Sequence, residues 1–172
     1  MQIRRAEKSD FADIHKIYDQ GYDEAEVDPN FGDYLRLTRP DANRKDRWTI
    51  EMLSDIKKRN VIFFVAEENG SVVGFCYAKK RDIPDSEMSH VCVLGIRVLK
   101  EYRGQGIGTK LVGRVLKECK GRFEIAEVFI IDINKASKSL FRKFRFKAWG
   151  VAPGFVKRGD RYMNLEYMYL NL

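Results

Sequence analysis

The chain has 172 residues, of which 44% are apolar and 12% aromatic, with a formal charge of +7, four prolines and thirteen glycines. That length suits one domain over residues 1–172 with one sizeable core, since domains typically hold ~100–150 residues, and the composition excludes a disordered or collagen-like chain. The longest apolar run, Val61 to Ala66, is six residues against the ~20 that a membrane-spanning helix needs, so no membrane span is expected.

The opening MQIRRAEKSD carries positive charge with no apolar stretch behind it, which argues against a signal peptide and for a cytoplasmic location. Gln2 to Arg5 reads as a strand, and Ser9 or Asp10 then caps a helix with Phe11, Ile14, Ile17 and Tyr18 at helical spacing. After the loop DPNFGDYLRLTRPD, a second helix is expected from about Lys45 to Lys58, with Trp48, Met52, Leu53 and Ile56 on one face. VIFFVAE and VVGFCYA flank Asn69-Gly70, a strong hairpin signal. The loop RDIPDSE leads into a third β run, His90 to Val98. A glycine-rich turn then opens a helix whose buried stripe is Ile107, Leu111, Val115, Leu116 and Cys119. Glu127 to Ile133 reads as a strand, Ala136 to Phe144 as a short basic helix and Tyr162 to Leu170 as a final strand. This order predicts a mixed α/β (α+β) domain, a central twisted sheet with helices on both faces.

Charge is unevenly placed. From Arg97 to Lys147 there are 14 Lys and Arg against 5 Asp and Glu, whereas His15 to Asp33 holds six acids against Lys16 alone. The basic part invites an anionic ligand and the acidic segment a cationic one. A nucleic-acid domain is disfavoured, because Phe123, Phe129, Phe141, Phe144 and Phe146 mostly fall at core spacing and no recognised nucleic-acid motif is present. Cys76, Cys92 and Cys119 form no CxxC pair and read as small buried apolars of a reducing compartment. His15 and His90 are the only histidines, too few soft ligands for a transition metal, so no metal is expected.

The turn RGQGIGTK lacks the spacing of a Walker A loop, and it fails the dinucleotide fingerprint because Thr109 stands where the last glycine belongs. It does match R-x-x-G-x-G through Arg103, Gly106 and Gly108, between a β run and an amphipathic helix. These residues, within LGIRVLKEYRGQGIGTKLV, resemble the acyl-CoA signature of the GNAT superfamily of N-acetyltransferases. NKASKSLFRKFRF is similar to that family's NxxAxxLYxKxGF segment through Asn134, Leu140, Lys143 and Phe146, and the closing stretch resembles its C-terminal hairpin.

The resemblance implies a mostly antiparallel sheet of about seven strands with a splayed parallel pair and about four helices. It also implies acetyl-CoA as acyl donor and attack of an acceptor amine on the thioester, the acceptor being a small amine, polyamine, amino acid or protein N-terminus. The cradle would be Arg103, Gly104, Gln105, Gly106, Ile107, Gly108 and Thr109, with the backbone of Ile96, Arg97 and Val98 facing the oxygen that gains charge. Asn134, Ser137, Ser139, Phe141 and Lys143 would line the pantetheine and pyrophosphate arm. Several family members carry a base thirteen residues before the signature arginine, where this chain has His90; Glu87 and Asp132 are alternatives. Tyr22, Asp23 and Glu24 lie where the family shapes its acceptor site, and terminal strands can join a homodimer. Two departures stand out: Phe141 replaces the family's usual tyrosine acid, and Arg145 replaces a glycine, expected to change the turn after the helix. The first keeps open a second function, an acyl-CoA-binding sensor or partner module without turnover.

Overall fold

The computed structural model describes residues 1–28, 39–81 and 87–172; Asp33 and most of the loops at 28–41 and 81–87 lie outside the described residues. Seven strands, β1 (Gln2–Arg5), β2 (Val61–Glu68), β3 (Ser71–Lys80), β4 (Val91–Val98), β5 (Ile125–Ile131), β6 (Lys147–Arg158) and β7 (Arg161–Asn171), form one sheet in the order β1-β2-β3-β4-β5-β7-β6. Every neighbouring pair is antiparallel except β4 and β5, which run parallel and pair only from Val91–Val93 to Ile125–Glu127. Beyond Val93 the two strands diverge, and that gap organises the site.

The β2–β3 hairpin turns at Asn69 and Gly70, whose φ values of 51° and 79° fit the tight turn that follows strand twist. Helices α1 (Phe11–Val27) and α2 (Ala42–Lys57) cover one sheet face, where Phe11, Ile14, Ile17 and Met52 pack on Phe63, Val65 and Phe75. On the other face, α3 (Ile107–Cys119) and α4 (Lys135–Lys143) set Leu111, Val115 and Phe141 against Ile62, Phe64 and Leu94. β2 is thus buried on both sides, which is why it reads as a continuous apolar run and not as an alternation. Leu111 and Val115 are fully buried, each worth roughly 1.5–3 kcal/mol of hydrophobic stabilisation. The three cysteines are free thiols in this second core. Buried Asp10 accepts two hydrogen bonds of 2.7 Å from the Arg4 guanidinium, tying the start of α1 to β1.

Boundaries shift where capping decides them. α2 begins at Ala42, earlier than Lys45, because the Asp41 carboxylate accepts the Arg44 N–H at 2.8 Å. β5 starts at Ile125, held by its parallel partner Val91. The Arg145 substitution leaves the turn after α4 intact, contrary to expectation. Arg145 adopts φ 67°, its N–H bonds the Arg142 carbonyl at 2.9 Å, and the Phe146 N–H bonds the Phe141 carbonyl at 3.2 Å. This is the left-handed helix stop that glycine usually supplies, kept here at a strain of roughly 1–2 kcal/mol. Among the described residues no helix is long and apolar enough to cross a membrane.

Candidate active site

The gap between β4 and β5 opens into a cavity of about 690 Å³. One wall is Val93 to Arg97 of β4, the other Val128 to Ile131 of β5, and Asn134, Ser137 and Phe141 close one end. α1 contributes His15, Tyr18 and Tyr22, which share one helix face, and α2 contributes Arg44, Lys45 and Trp48. Past Val93 β4 no longer pairs with β5, so this edge of the strand faces the gap.

At the C-terminal end of β4 the chain passes through Gly104 (φ 77°) and Gly106 (φ 79°) into α3. Gly106 is the N-cap and no side chain caps the helix; the first intrahelical bond runs from Lys110 to Gly106. The N–H groups of Ile107, Gly108 and Thr109 therefore have no intrahelical acceptor, and they carry the positive end of the helix dipole. Gly108 lies where a Cβ would sit 3.4 Å from Leu140 and 3.5 Å from Ile96, in ordinary contact with both walls.

Tyr77 of β3 also lines the cavity, directly across from Gly95 of β4. A Cβ on Gly95 would stand 2.6 Å from the Tyr77 Oη and 2.7 Å from its Cε1, so the phenol lies over β4 only because residue 95 has no side chain. Burial raises the Tyr77 pKa, partly offset by Arg97 and by a hydrogen bond with Tyr18. The Arg97 guanidinium lies 4.7 Å from the centre of the Tyr18 ring.

His15 sits between Trp48 and Thr49, its Nε2 2.9 Å from Thr49 Oγ1. That hydroxyl donates its own proton to the Lys45 carbonyl at 3.0 Å, so it accepts from His15 Nε2–H and leaves Nδ1 as the basic nitrogen. Burial, then Lys45, lowers the His15 pKa and keeps the ring neutral. A depressed histidine pKa contributes stability that is present above the unfolded value of ~6.5 and lost as pH falls through the folded pKa. His15→Gln is therefore expected to flatten the acid side of the thermal-denaturation profile below about pH 6.5; an unchanged slope would contradict this placement.

The sequence-derived residues divide by location. Ile96, Arg97, Asn134, Ser137, Phe141 and Tyr22 line the cavity, and Val98 and the run from Arg103 to Thr109 stand at the α3 end. Gln105 bonds the Glu101 carbonyl, while Ile107 is a core residue. Ser139 and Lys143 lie on a separate basic face of α4 with Lys135, Lys138 and Arg142. His90 is not brought to the cavity. It precedes β4 at the end opposite the glycine turn, with Nδ1 3.0 Å from the Glu87 carbonyl and Gly121 to Ile125 as neighbours. Eight residue steps from His90 to Val98 span about 26 Å. Glu87 is exposed beside it, and Asp132, with a buried Oδ1 lacking a hydrogen-bond partner, is outside the lining. Asp23 pairs with Arg39, and Glu24 holds Arg103 in two bonds of 2.8 and 2.7 Å. Sequence reasoning missed Tyr77, Tyr18 and His15; the signal for the first was a glycine in mid-strand at position 95.

Residues 13–146 match the model of the Acetyltransferase (GNAT) family. The chain belongs to the GNAT family. It is 30% identical to an N-alpha-acetyltransferase of Saccharolobus solfataricus, over 73% of this chain and 77% of that one. An uncharacterized N-acetyltransferase of Methanocaldococcus jannaschii is 28% identical over 92% of this chain, which spans 66% of that protein's length. Among solved structures, an N-acetyltransferase from Staphylococcus aureus superposes with a TM-score of 0.84 at 26% identity, covering 99% and 97% of the two chains. A Salmonella typhimurium protein solved with its cofactor acetyl-CoA gives 0.85 at 23% identity, covering 99% and 93%.

Acetyl-CoA fits this GNAT site on its own geometry. Uncapped N–H groups at the start of α3 suit a pyrophosphate, and a Cβ on Gly106 would meet nothing within 4 Å, so its side faces open space. Glu24 competes for Arg103 on that side. Surface ion pairs are worth ~0.2–1 kcal/mol, so Glu24→Gln is expected to tighten acetyl-CoA binding by up to about 5-fold in calorimetry. Weaker binding would mean that the pair props the cradle open.

Proposed function

We propose that this chain transfers an acetyl group from acetyl-CoA to a primary amine by direct attack of the amine on the thioester. The observation that carries the proposal is the uncapped, glycine-built start of α3 at the mouth of the β4–β5 gap, which sets an anion cradle beside the stretch of β4 that no longer pairs with β5. The S. solfataricus relative is an N-alpha-acetyltransferase, which supports an α-amine as the nucleophile.

When bound, acetyl-CoA supplies an activated acetyl group. The α3 N–H groups and Arg103 hold its pyrophosphate, and Asn134, Ser137 and Phe141 line the arm that leads to the gap. The part of β4 that diverges from β5, beyond Val93, would present N–H donors to the carbonyl oxygen as it gains charge. His15 Nδ1, neutral and facing the same cavity, takes the amine's proton through solvent. An α-amine of pKa ~8 needs little help to lose its proton. Tyr77, kept protonated by burial, is the donor available to the departing thiolate in place of the hydroxyl absent at Phe141. His90, Glu87 and Asp132 receive no part in proton transfer.

The test is release of free CoA, followed with a thiol-reactive dye over a panel of amines, beside calorimetric binding of acetyl-CoA. Amine-dependent release establishes the transferase; tight binding without release from any amine supports the sensor module instead. A homodimer would pair along edge strand β6, covering Trp149, Val151 and Phe155, which are exposed. Sedimentation should then show Trp149→Glu as a monomer at a concentration where the parent is dimeric; a monomeric parent removes the idea.

A further inference from the structure

Helix α1 is tied down at both ends by polar bonds. Near its start the Arg4 guanidinium holds Asp10, and the Val72 N–H of β3 donates to Asp13 Oδ2 at 3.1 Å. Its C-terminal half is tied instead to the loop that leads from β4 into the glycine turn. Gln20 Oε1 accepts the Lys100 backbone N–H at 2.8 Å; this fixes the amide so that its Nε2 donates to Glu101 Oε2 at 3.0 Å. One helical turn on, Glu24 accepts both bonds from Arg103. The path runs on into the cradle, because the Glu101 carbonyl accepts from Gln105 Nε2 at 3.0 Å and Gln105 stands between Gly104 and Gly106.

At ~100° per residue, Gln20 lies roughly 140–160° round the helix from His15 and Tyr22. The flank tied to the loop is therefore opposite the flank that faces the cavity, with Ile17 and Gly21 buried between them. Apolar packing along that buried stripe is non-directional and leaves the helix able to roll or slide, whereas two directed bonds on the far flank fix both its roll and its register. The two ties answer differently to a filled cradle. Arg103 is shared between Glu24 and the pyrophosphate, while Gln20 bonds a backbone N–H and a carboxylate that the donor does not ask for.

We propose that Gln20 is a positioning residue for acetyl transfer: through Lys100 and Glu101 it sets the α1 wall of the cavity, His15, Tyr18 and Tyr22, in register with the glycine turn. The proposal rests on the acetyltransferase reading for the reaction that it serves, but the tie itself stands on its bonds alone. Reacting groups need placement within about 0.5 Å, and a misplacement of ~1 Å can cost about 100-fold in rate. Gln20 touches neither donor nor acceptor. It acts by making the helix that faces the amine and the loop that precedes the cradle one rigid unit, and it keeps that unit together when the pyrophosphate draws Arg103 away from Glu24.

The experiment breaks the tie from both sides in the full chain. Gln20→Leu removes the amide. Lys100→Pro removes the N–H that it accepts, at a position suited to proline, since Leu99 already has φ −51° and ψ 142° and Lys100 opens a short 3-10 turn. Each should lower kcat for CoA release at least about 10-fold, with the calorimetric Kd for acetyl-CoA within about 2-fold and Tm within about 4 °C of the parent. Because both cut one bond, the double variant should fall no more than about 2-fold below either single variant. Glu101→Ala should slow kcat, and Glu101→Gln, which still accepts from Nε2, should restore it. An unchanged kcat in Gln20→Leu, multiplicative losses in the double variant, or acetyl-CoA affinity falling in step with kcat would overturn the proposal. Failure of acetyl-CoA to bind, or of every amine to turn over, counts against the acetyltransferase reading, and hydrogen exchange then decides on the tie. It is measured on the α1 amides from Tyr18 to Glu24 in a Glu24→Gln background, where the second tie is already cut. Exchange faster by about 10-fold or more in both Gln20→Leu and Lys100→Pro supports the proposal; faster exchange in Gln20→Leu alone, which is a local effect on the helix, or in neither overturns it.

Discussion

Replacing Gly106 by glutamate is expected to weaken acetyl-CoA binding by about 100-fold or more, roughly 2.7 kcal/mol, as read by calorimetry. Sterics are not the cause, because a Cβ at this position meets nothing within 4 Å. Two other effects act. The residue holds φ 79°, where a side chain costs roughly 1–2 kcal/mol, and a carboxylate at an uncapped helix start captures the N–H donors that the pyrophosphate would use. Gly106→Ala separates them, since alanine brings the backbone strain without the charge. The alanine variant should lose the same thermal stability but bind within about 5-fold of the parent. If alanine and glutamate weaken binding equally, strain in the turn and not electrostatics governs the cradle; if neither weakens it, the pyrophosphate is held elsewhere.

That turn was legible in the sequence because its physics is local. Arg103, Gly106 and Gly108 lie within six residues, and the stripe from Ile107 to Cys119 follows from helical period alone. The hairpin at Asn69 and Gly70 was legible for the same reason. The α1 and β3 side of the cavity was not, because it is assembled across the sheet. Tyr77 and Gly95 meet only through the β3–β4 register, and Arg97 reaches Tyr18 only once α1 has packed on that face. Counting thirteen residues back from Arg103 led to His90, but a count along an extended strand is also a distance, and it carried the residue past the open gap to the far end of β4. The partners of the acidic run on α1 were not legible either, because they are distant in sequence: Arg103 for Glu24 and Lys45 for Asp19. Arg145 shows the converse, a residue that breaks the local rule while the fold holds the turn.

The second large effect should come from Gly95→Ala. The added Cβ would press on the Tyr77 ring, which cannot simply retreat because it lies against Phe63 at 5.5 Å and Phe75 at 6.4 Å between ring centres. Overpacking of this kind costs ~1–3 kcal/mol, and the displaced phenol leaves the position that it needs beside the gap. A loss of about 10- to 100-fold in kcat is expected, with acetyl-CoA affinity little changed, since the cradle lies beyond Val98. Tyr77→Phe keeps the ring and removes only the hydroxyl, so it should reproduce most of the kcat loss while stability stays within about 1 kcal/mol. The double variant Gly95→Ala with Tyr77→Ala tests the contact itself. Removing the ring removes the clash, so the two stability losses should fall short of additive by roughly 0.5–3 kcal/mol. Additive losses would mean that residue 95 and the phenol do not meet as described. A fully active Tyr77→Phe would show that the ring shapes the cavity while the thiolate leaves unprotonated.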